Sequence, residues 1–231
     1  MPESRPRTLE HLVAMRKRAI ERDGGFTLDW EHHMGGAPLV DPSHACAALG
    51  QAGIPFAVMG AIACARYQPP RTTVDVDILV GAGDLGPAGA ALEAAGFEAS
   101  RPIRFPNQPT WSGTAYTHET SPDVDLIGVD EPWVEEAIAE AGEWTETGGF
   151  PVLSLPALVL TKLIPQRTQD LADLSRMLGI AWKTKGDEGL ATTRDFIAQH
   201  RPDLAQDLDQ IILLGRWEVE PPTEYHGTCG R

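Results

Sequence analysis

Asp75 and Asp77 stand two residues apart in the run TTVDVDILV, and Asp125 stands between Val124 and Leu126 in PDVDLIGV. Residues two apart on an extended strand point to one face, so the pair would hold its Cα atoms about 6–7 Å apart at a rise of roughly 3.3 Å per residue. Carboxylates so placed can converge on one Mg²⁺ or Mn²⁺, or bridge two ions about 3.5–4 Å apart. If the Asp125 strand runs beside the first, about 4.8 Å away, all three acids could share one metal cluster. Aspartate is a poor strand former, and an unpaired carboxylate among Val, Ile and Leu is costly, so the placement calls for metal, Arg/Lys or hydrogen-bond partners. The alternative is a solvated face on an edge strand. Asp123 lies on the same face as Asp125 and competes with it for the third position.

Ahead of the acid pair, the apolar run Ile54 to Met59 reads as a short buried strand ending at Gly60, with a helix through Ile62 to Arg66. A glycine at that bend lets the backbone approach a phosphate, and the first amides of the next helix are free to donate to it. By alternation Arg71 and Thr73 fall on the Asp75 face, where they could contact phosphate or an acceptor. Competing chemistries find less support. The seven histidines form no pair at ligand spacing except His32-His33, and the chain holds neither a Gly-x-x-x-x-Gly-Lys loop nor a serine nucleophile elbow. Cys46, Cys64 and Cys229 form no Cys-x-x-Cys pair, which argues against a disulfide framework or thiolate zinc site and fits a reducing cytoplasm.

Several elements must position these residues. Thr8 to Arg22 has a modest apolar stripe of helical period, and Gly24 to Val40 reads as an irregular connection. Asp41-Pro42 is a helix start, with Asp as cap, for a helix ending near Gly53. Val74, Val76, Ile78 and Val80 alternate with Thr73, Asp75, Asp77 and Leu79, which predicts a strand over Thr73 to Val80. Leu85 to Ala95 is a helix closed by Gly96. Phe97 to Phe105 and Trp111 to His118 are extended, Asp123 to Val129 is a strand, and Pro132 to Ala141 is a helix. Pro151 to Leu155 is a short extended piece. Beyond it Pro156 to Ile164 is helical, Pro165 forces a break, and helices follow over Gln169 to Leu178 and Arg194 to Trp217, the last interrupted at Pro202. Asp170 and Asp173, one helical turn apart, read as first-turn and surface acids. The six tryptophans read as core or interface residues.

The pattern predicts four regions: an N-terminal helical extension (1–53), an α/β core (54–155), a C-terminal helical region (156–217) and a flexible, Pro- and Gly-rich tail (218–231). Of 231 residues 42% are hydrophobic and 23% charged, the balance of a soluble globular chain. A formal net charge of −14 argues against extended nucleic-acid binding, which needs clustered Lys and Arg, and is compatible with metal ions, cationic small molecules or a basic protein partner. The first residues, MPESRPRTLEHLVAMRKRAIERDGG, contain no apolar core of a signal peptide, and no apolar run reaches the roughly 20 residues that span a bilayer. The expected location is the cytoplasm, with no membrane partner.

Gly60-Ala61, thirteen intervening residues, Asp75-Val76-Asp77 and the later Val124-Asp125-Leu126 together resemble the DNA polymerase β-type nucleotidyltransferase superfamily. The likeness is to its small bacterial branch, the minimal nucleotidyltransferases and AbiEii-like components of toxin–antitoxin systems. Arg71-Thr72-Thr73 is similar to that branch's Arg-x-Thr-x-Asp-x-Asp run, and LSLPALVLTKLIPQRTQDLADLSRML to its later helices. The resemblance covers roughly Ile54 to Leu178. It implies an α/β (α+β) nucleotidyltransferase-type mixed sheet flanked by helices, and transfer of a nucleoside monophosphate from an NTP such as ATP to a hydroxyl. The acceptor stays open between a protein, a small molecule and an RNA end. Asp75, Asp77 and Asp125 would hold Mg²⁺ (or Mn²⁺), with Asp125 also the general base. Gly60, Ala61, Arg71 and Thr73 would meet the nucleotide, and Lys162 would neutralise pyrophosphate, unless it is only a cation near a helix C-terminus. Many relatives carry Ser or Gly where this chain has Ala61, which offers an N–H but no hydroxyl. A non-catalytic nucleotide- or protein-binding relative therefore stays open, as does a metal-dependent phosphohydrolase or nuclease.

Overall fold

Asp41 opens the first described helix. Its Oδ1 accepts the Ser43 N–H at 2.9 Å, and α1 runs over Ser43–Gln51 with Pro42 already in helical backbone geometry. Hydrogen bonds from Ser43 hold the Asp41 carboxyl below its ordinary pKa. A depressed folded-state pKa means that the cap's stabilisation is present above the unfolded value, about 3.9, and is lost as pH falls through the folded value. Asp41→Ala is expected to cost about 1 kcal/mol at neutral pH. Urea unfolding should show that difference shrinking below about pH 4.

The computed structural model describes residues 40–144 and 149–220. They fall into two compact units, one within His33–Leu158 and one that includes Val159–Arg231. The expected helix over Thr8 to Arg22, most of the Gly24 to Val40 connection, His32-His33 and Cys229 lie outside the described residues.

The first unit carries a seven-stranded mixed sheet in the order β3-β4-β5-β2-β1-β7-β6. The strands are β1 Ala57–Val58, β2 Asp75–Gly81, β3 Glu98–Ile103, β4 Trp111–Thr117, β5 Asp123–Val129, β6 Gly142–Trp144 and β7 Phe150–Val152. β2 pairs in parallel with β5, and β1 with β7; the other neighbours are antiparallel. Helices α2 Gly60–Cys64, α3 Leu85–Ala94 and α4 Trp133–Ala139 belong to this unit. α3 lies on the face of Val76, Val124 and Tyr116: a Cβ at Gly89 would overlap the Tyr116 hydroxyl, and one at Gly128 would meet the Leu85 side chain at 3.0 Å. The aspartates project from the opposite face. This is the expected α/β class with a mixed sheet flanked by helices.

Details differ from the sequence reading. β1 has only two residues, because Ile54-Pro55 cannot donate a full ladder, and α2 starts at Gly60 itself rather than at Ile62. β2 starts at Asp75, and Val74, placed by alternation on the apolar face, is 78% exposed. β6, which no pattern signals, is a three-residue strand paired with β7.

The chain passes from one unit to the other within α5 (Leu155–Leu163). The helical unit continues with α6 Thr168–Lys185, α7 Glu188–His200, a 3₁₀ turn at Pro202–Leu204 and α8 Ala205–Val219. The break at Pro165 is present. α6 runs seven residues past the expected end at Leu178: Gly179 stays helical within it, and the helix ends only at Gly186 (φ 63°). α6 and α8 cross with their backbones touching: a Cβ on Gly179 would overlap the Gly215 carbonyl, and one on Gly215 the Ser175 carbonyl. Glu218, expected to begin the tail, is helical and buried in α8; residues 221–231 lie outside the described residues.

Candidate active site

The parallel register of β2 and β5 sets Asp75 opposite Asp123 and Asp77 opposite Asp125. Of the two candidates for the third position, Asp125 is therefore the neighbour of Asp77. It is half-buried, whereas Asp123 is exposed. Further along the same strands Ile78, Leu79, Leu126 and Ile127 are buried, so the acids mark the point where the core strands emerge into solvent.

Gly60 completes the arrangement. The Met59 N–H donates to the Asp77 carbonyl at 2.9 Å, which brings the end of β1 alongside Asp77. Gly60 then turns the chain into α2 with φ +65°, a region that L side chains rarely enter. Its bare Cα lies directly against Asp77: a Cβ there would overlap Asp77 Oδ2 and stand 2.6 Å from its Cγ. Both the backbone angle and the space beside Asp77 require glycine. Ala61, next in α2, is buried.

Polar groups stand close to Asp75 and Asp125. The Thr73 hydroxyl donates to Asp75 Oδ1 at 2.6 Å. Arg101 of β3 points a guanidinium nitrogen to 4.0 Å from Asp125 Oδ1. Arg71, just before β2, donates to the Thr72 carbonyl at 3.4 Å. Nothing in the sequence marked Arg101, because a β-bulge sets its position: the β3–β4 register shifts between Ala99 and Arg101.

All three acids share one sheet face and offer the hard oxygen donors that Mg²⁺ or Mn²⁺ takes. The fit is one of donor type and backbone placement. Among the described residues no three His, Cys, Asp or Glu side chains are grouped closely enough to hold a metal ion. Asp75 is turned to Thr73 and Asp125 faces Arg101, so a shared ion requires a change of side-chain rotamer.

The strands bearing the acids are held firmly. Glu131, just beyond β5, accepts the indole N–H of Trp111 at 2.9 Å and of Trp133 at 2.8 Å, tying β4 and α4 to the end of β5. At its other end, His118 Nδ1 accepts the N–H groups of Thr120 and Ser121, both at 3.1 Å, shaping the turn into β5. Cys46 and Cys64 are buried and outside any disulfide, and burial pushes the Cys46 thiol up to about 12.

Lys162 lies in the helical unit, 4% exposed, with Nζ 2.8 Å from Asp173 Oδ2 and 3.4 Å from Asp170 Oδ1. The expectation that Asp170 and Asp173 are surface acids is overturned, since they are 1% and 2% exposed. Asp170 is in the first turn of α6 and accepts the Arg167 backbone N–H, but it faces inward because Lys162 neutralises it there.

Among the described residues no helix is long and apolar enough to cross a membrane. No family model matches the chain, and no curated protein matches it by sequence. Solved structures similar to it include a proposed nucleotidyltransferase from H. pylori, 13% identical, covering 77% of this chain and 91% of that one, with a TM-score of 0.42. Another, from Thermotoga maritima and described in the same terms, is 15% identical over 59% of this chain and 93% of that one, with a TM-score of 0.43. The antibiotic-resistance factor ANT(2'')-Ia is 17% identical over 71% and 93%, with a TM-score of 0.46. These likenesses assign no activity to the chain.

Proposed function

We propose that the sheet unit is the core of a nucleotidyltransferase that moves a nucleoside monophosphate from an NTP to a hydroxyl acceptor. The observation that carries this reading is the seating of the Asp77 carboxylate on the bare Gly60 bend, with Asp125 opposite it and Asp75 on the same face. A glycine required by both angle and space leaves the backbone approachable at the point where negative charge is concentrated. The sequence resemblance supports the same reading.

In this reading Asp75, Asp77 and Asp125 hold a divalent cation, Mg²⁺ or Mn²⁺, which supplies positive charge against the triphosphate. Gly60 and Ala61 admit the phosphates close to the main chain. Thr73 holds Asp75 through its 2.6 Å hydrogen bond until the carboxylate turns to the cation, and Arg71 lies two residues ahead of Thr73 for a phosphate or the acceptor. Asp125 takes the proton of the acceptor hydroxyl. The hydroxyl oxygen bonds to the α-phosphorus, the bond from that phosphorus to the bridging oxygen breaks in line, and pyrophosphate leaves. Lys162 is a candidate for the pyrophosphate on the resemblance alone.

A second reading, a non-catalytic nucleotide- or protein-binding module, is favoured by Ala61 and by the absence of a three-carboxylate grouping among the described residues. To separate the two, the protein is incubated with each α-labelled NTP, Mg²⁺ and cell lysate. The expected result is pyrophosphate release together with a labelled adduct, both falling to background on addition of EDTA. Nucleotide binding without pyrophosphate release would support the binding module. Inorganic phosphate or cut strands without an adduct would indicate a hydrolase.

A further inference from the structure

We infer that Arg101 is a built-in counter-ion for Asp125, occupying that carboxylate until a divalent cation displaces it; this rests on the nucleotidyl-transfer reading above. A bulge in the β3–β4 pairing places it. A regular β3–β4 ladder would follow Ala99↔Tyr116 with Ser100 opposite Ala115 and Arg101 opposite Thr114, on the α3 face. The bulge instead sets Arg101 opposite Ala115. One inserted residue moves the side chain to the other face of the sheet, which is the aspartate face. The Ser100 hydroxyl pins the bulge by donating to the Ala115 carbonyl at 3.0 Å.

The row across the sheet then reads Arg101, Ala115, Asp125, Asp77 on four adjacent strands. Neighbouring strands lie about 4.8 Å apart, so Arg101 must cross the whole width of β4 to reach Asp125. It can do so because the residue between them is alanine, too short to block the guanidinium. Arg101 is 65% exposed, so the ion pair is weak enough to be exchanged. Together with the Thr73 bond to Asp75, this contact bears on why the three carboxylates on one face do not converge: Asp125 faces a cation that the protein itself supplies.

Arg101 thus acts as a positioning residue that sets the cost of cation entry. The test uses the metal alone: Mn²⁺ binding to the full, nucleotide-free chain, followed by the electron paramagnetic resonance signal of free Mn²⁺. Arg101→Gln is expected to bind Mn²⁺ about two- to fivefold more tightly, the upper part of the range an exposed ion pair provides. Arg101→Lys should return the affinity toward wild type. Arg104→Gln, an equal charge change just beyond β3, should leave it unchanged. Equal tightening by Arg104→Gln would reduce the effect to bulk charge and overturn the inference. So would an unchanged or weaker affinity in Arg101→Gln. If wild type binds Mn²⁺ and Asp77→Asn does not, such a failure removes the counter-ion role and leaves the metal site standing. No Mn²⁺ binding by wild type or by any variant would remove both.

Discussion

An Asp77→Asn protein is expected to release pyrophosphate at least a hundredfold more slowly than wild type, with its thermal transition nearly unmoved. Asparagine keeps the shape that rests on Gly60 and removes only the charge, so packing is preserved while the electrostatics of the site are not. Losing one preorganised electrostatic group from an active site costs roughly 10²–10³ in rate. Gly60→Ala makes the complementary test. The new Cβ would overlap the Asp77 carboxylate, and the residue must hold φ +65°, so Asp77 is pushed aside without being changed. The backbone conformation alone costs about 1–2 kcal/mol in an alanine, so this variant should lose stability as well as rate. Because both changes act on one carboxylate, the double variant should be little slower than Asp77→Asn alone. Steady-state pyrophosphate release, measured beside a calorimetric scan, reads both quantities. Wild-type release from Asp77→Asn would end the catalytic reading.

How much of this arrangement could be seen in the chain depends on the range of the interactions that fix it. β2 and β5 were legible because alternation of Val, Ile and Leu around the acids is local, and strand pairing then follows from two apolar stretches of equal length. Gly60 was legible because a glycine between a strand and a helix has few other uses. Which of Asp123 and Asp125 stands beside Asp77 was not, since register is set by the whole sheet. Arg101 was hidden for the same reason: a one-residue bulge at Ser100 decides its face, and the sequence SRPIR reads equally well without it. Asp170 and Asp173 were misplaced because helical spacing tells which residues share a face and says nothing of what that face meets. Their cation lies eight and eleven residues upstream, beyond the break at Pro165, where no periodic pattern connects them.

That buried cluster should be the most mutation-sensitive point of the helical unit. Lys162, Asp170 and Asp173 are all nearly excluded from solvent, and Lys162 is the cation that both carboxylates share. Arg167 adds a second contact to Asp170, with Nε 2.7 Å from Oδ2, but its own side chain is 75% exposed and its contribution is screened. The Gln169 amide donates to Asp173 Oδ1 at 3.2 Å. Lys162→Met keeps the aliphatic stem and removes the charge, leaving two buried anions facing each other. Removing one member of a buried ion pair costs about 3–5 kcal/mol, against a total stability of roughly 5–15 kcal/mol for a domain. Asp173→Asn should cost less, about 1–2 kcal/mol, because Lys162 and Asp170 remain a neutral pair and the amide keeps a hydrogen bond. The double variant Lys162→Met/Asp173→Asn should then be more stable than Lys162→Met alone, since it removes one of the two carboxylate charges that Lys162 had served. Urea unfolding of the three proteins checks the order. If Lys162→Met unfolds within 1 kcal/mol of wild type, the carboxylates draw their stabilisation from elsewhere, and Lys162 is released from its structural role.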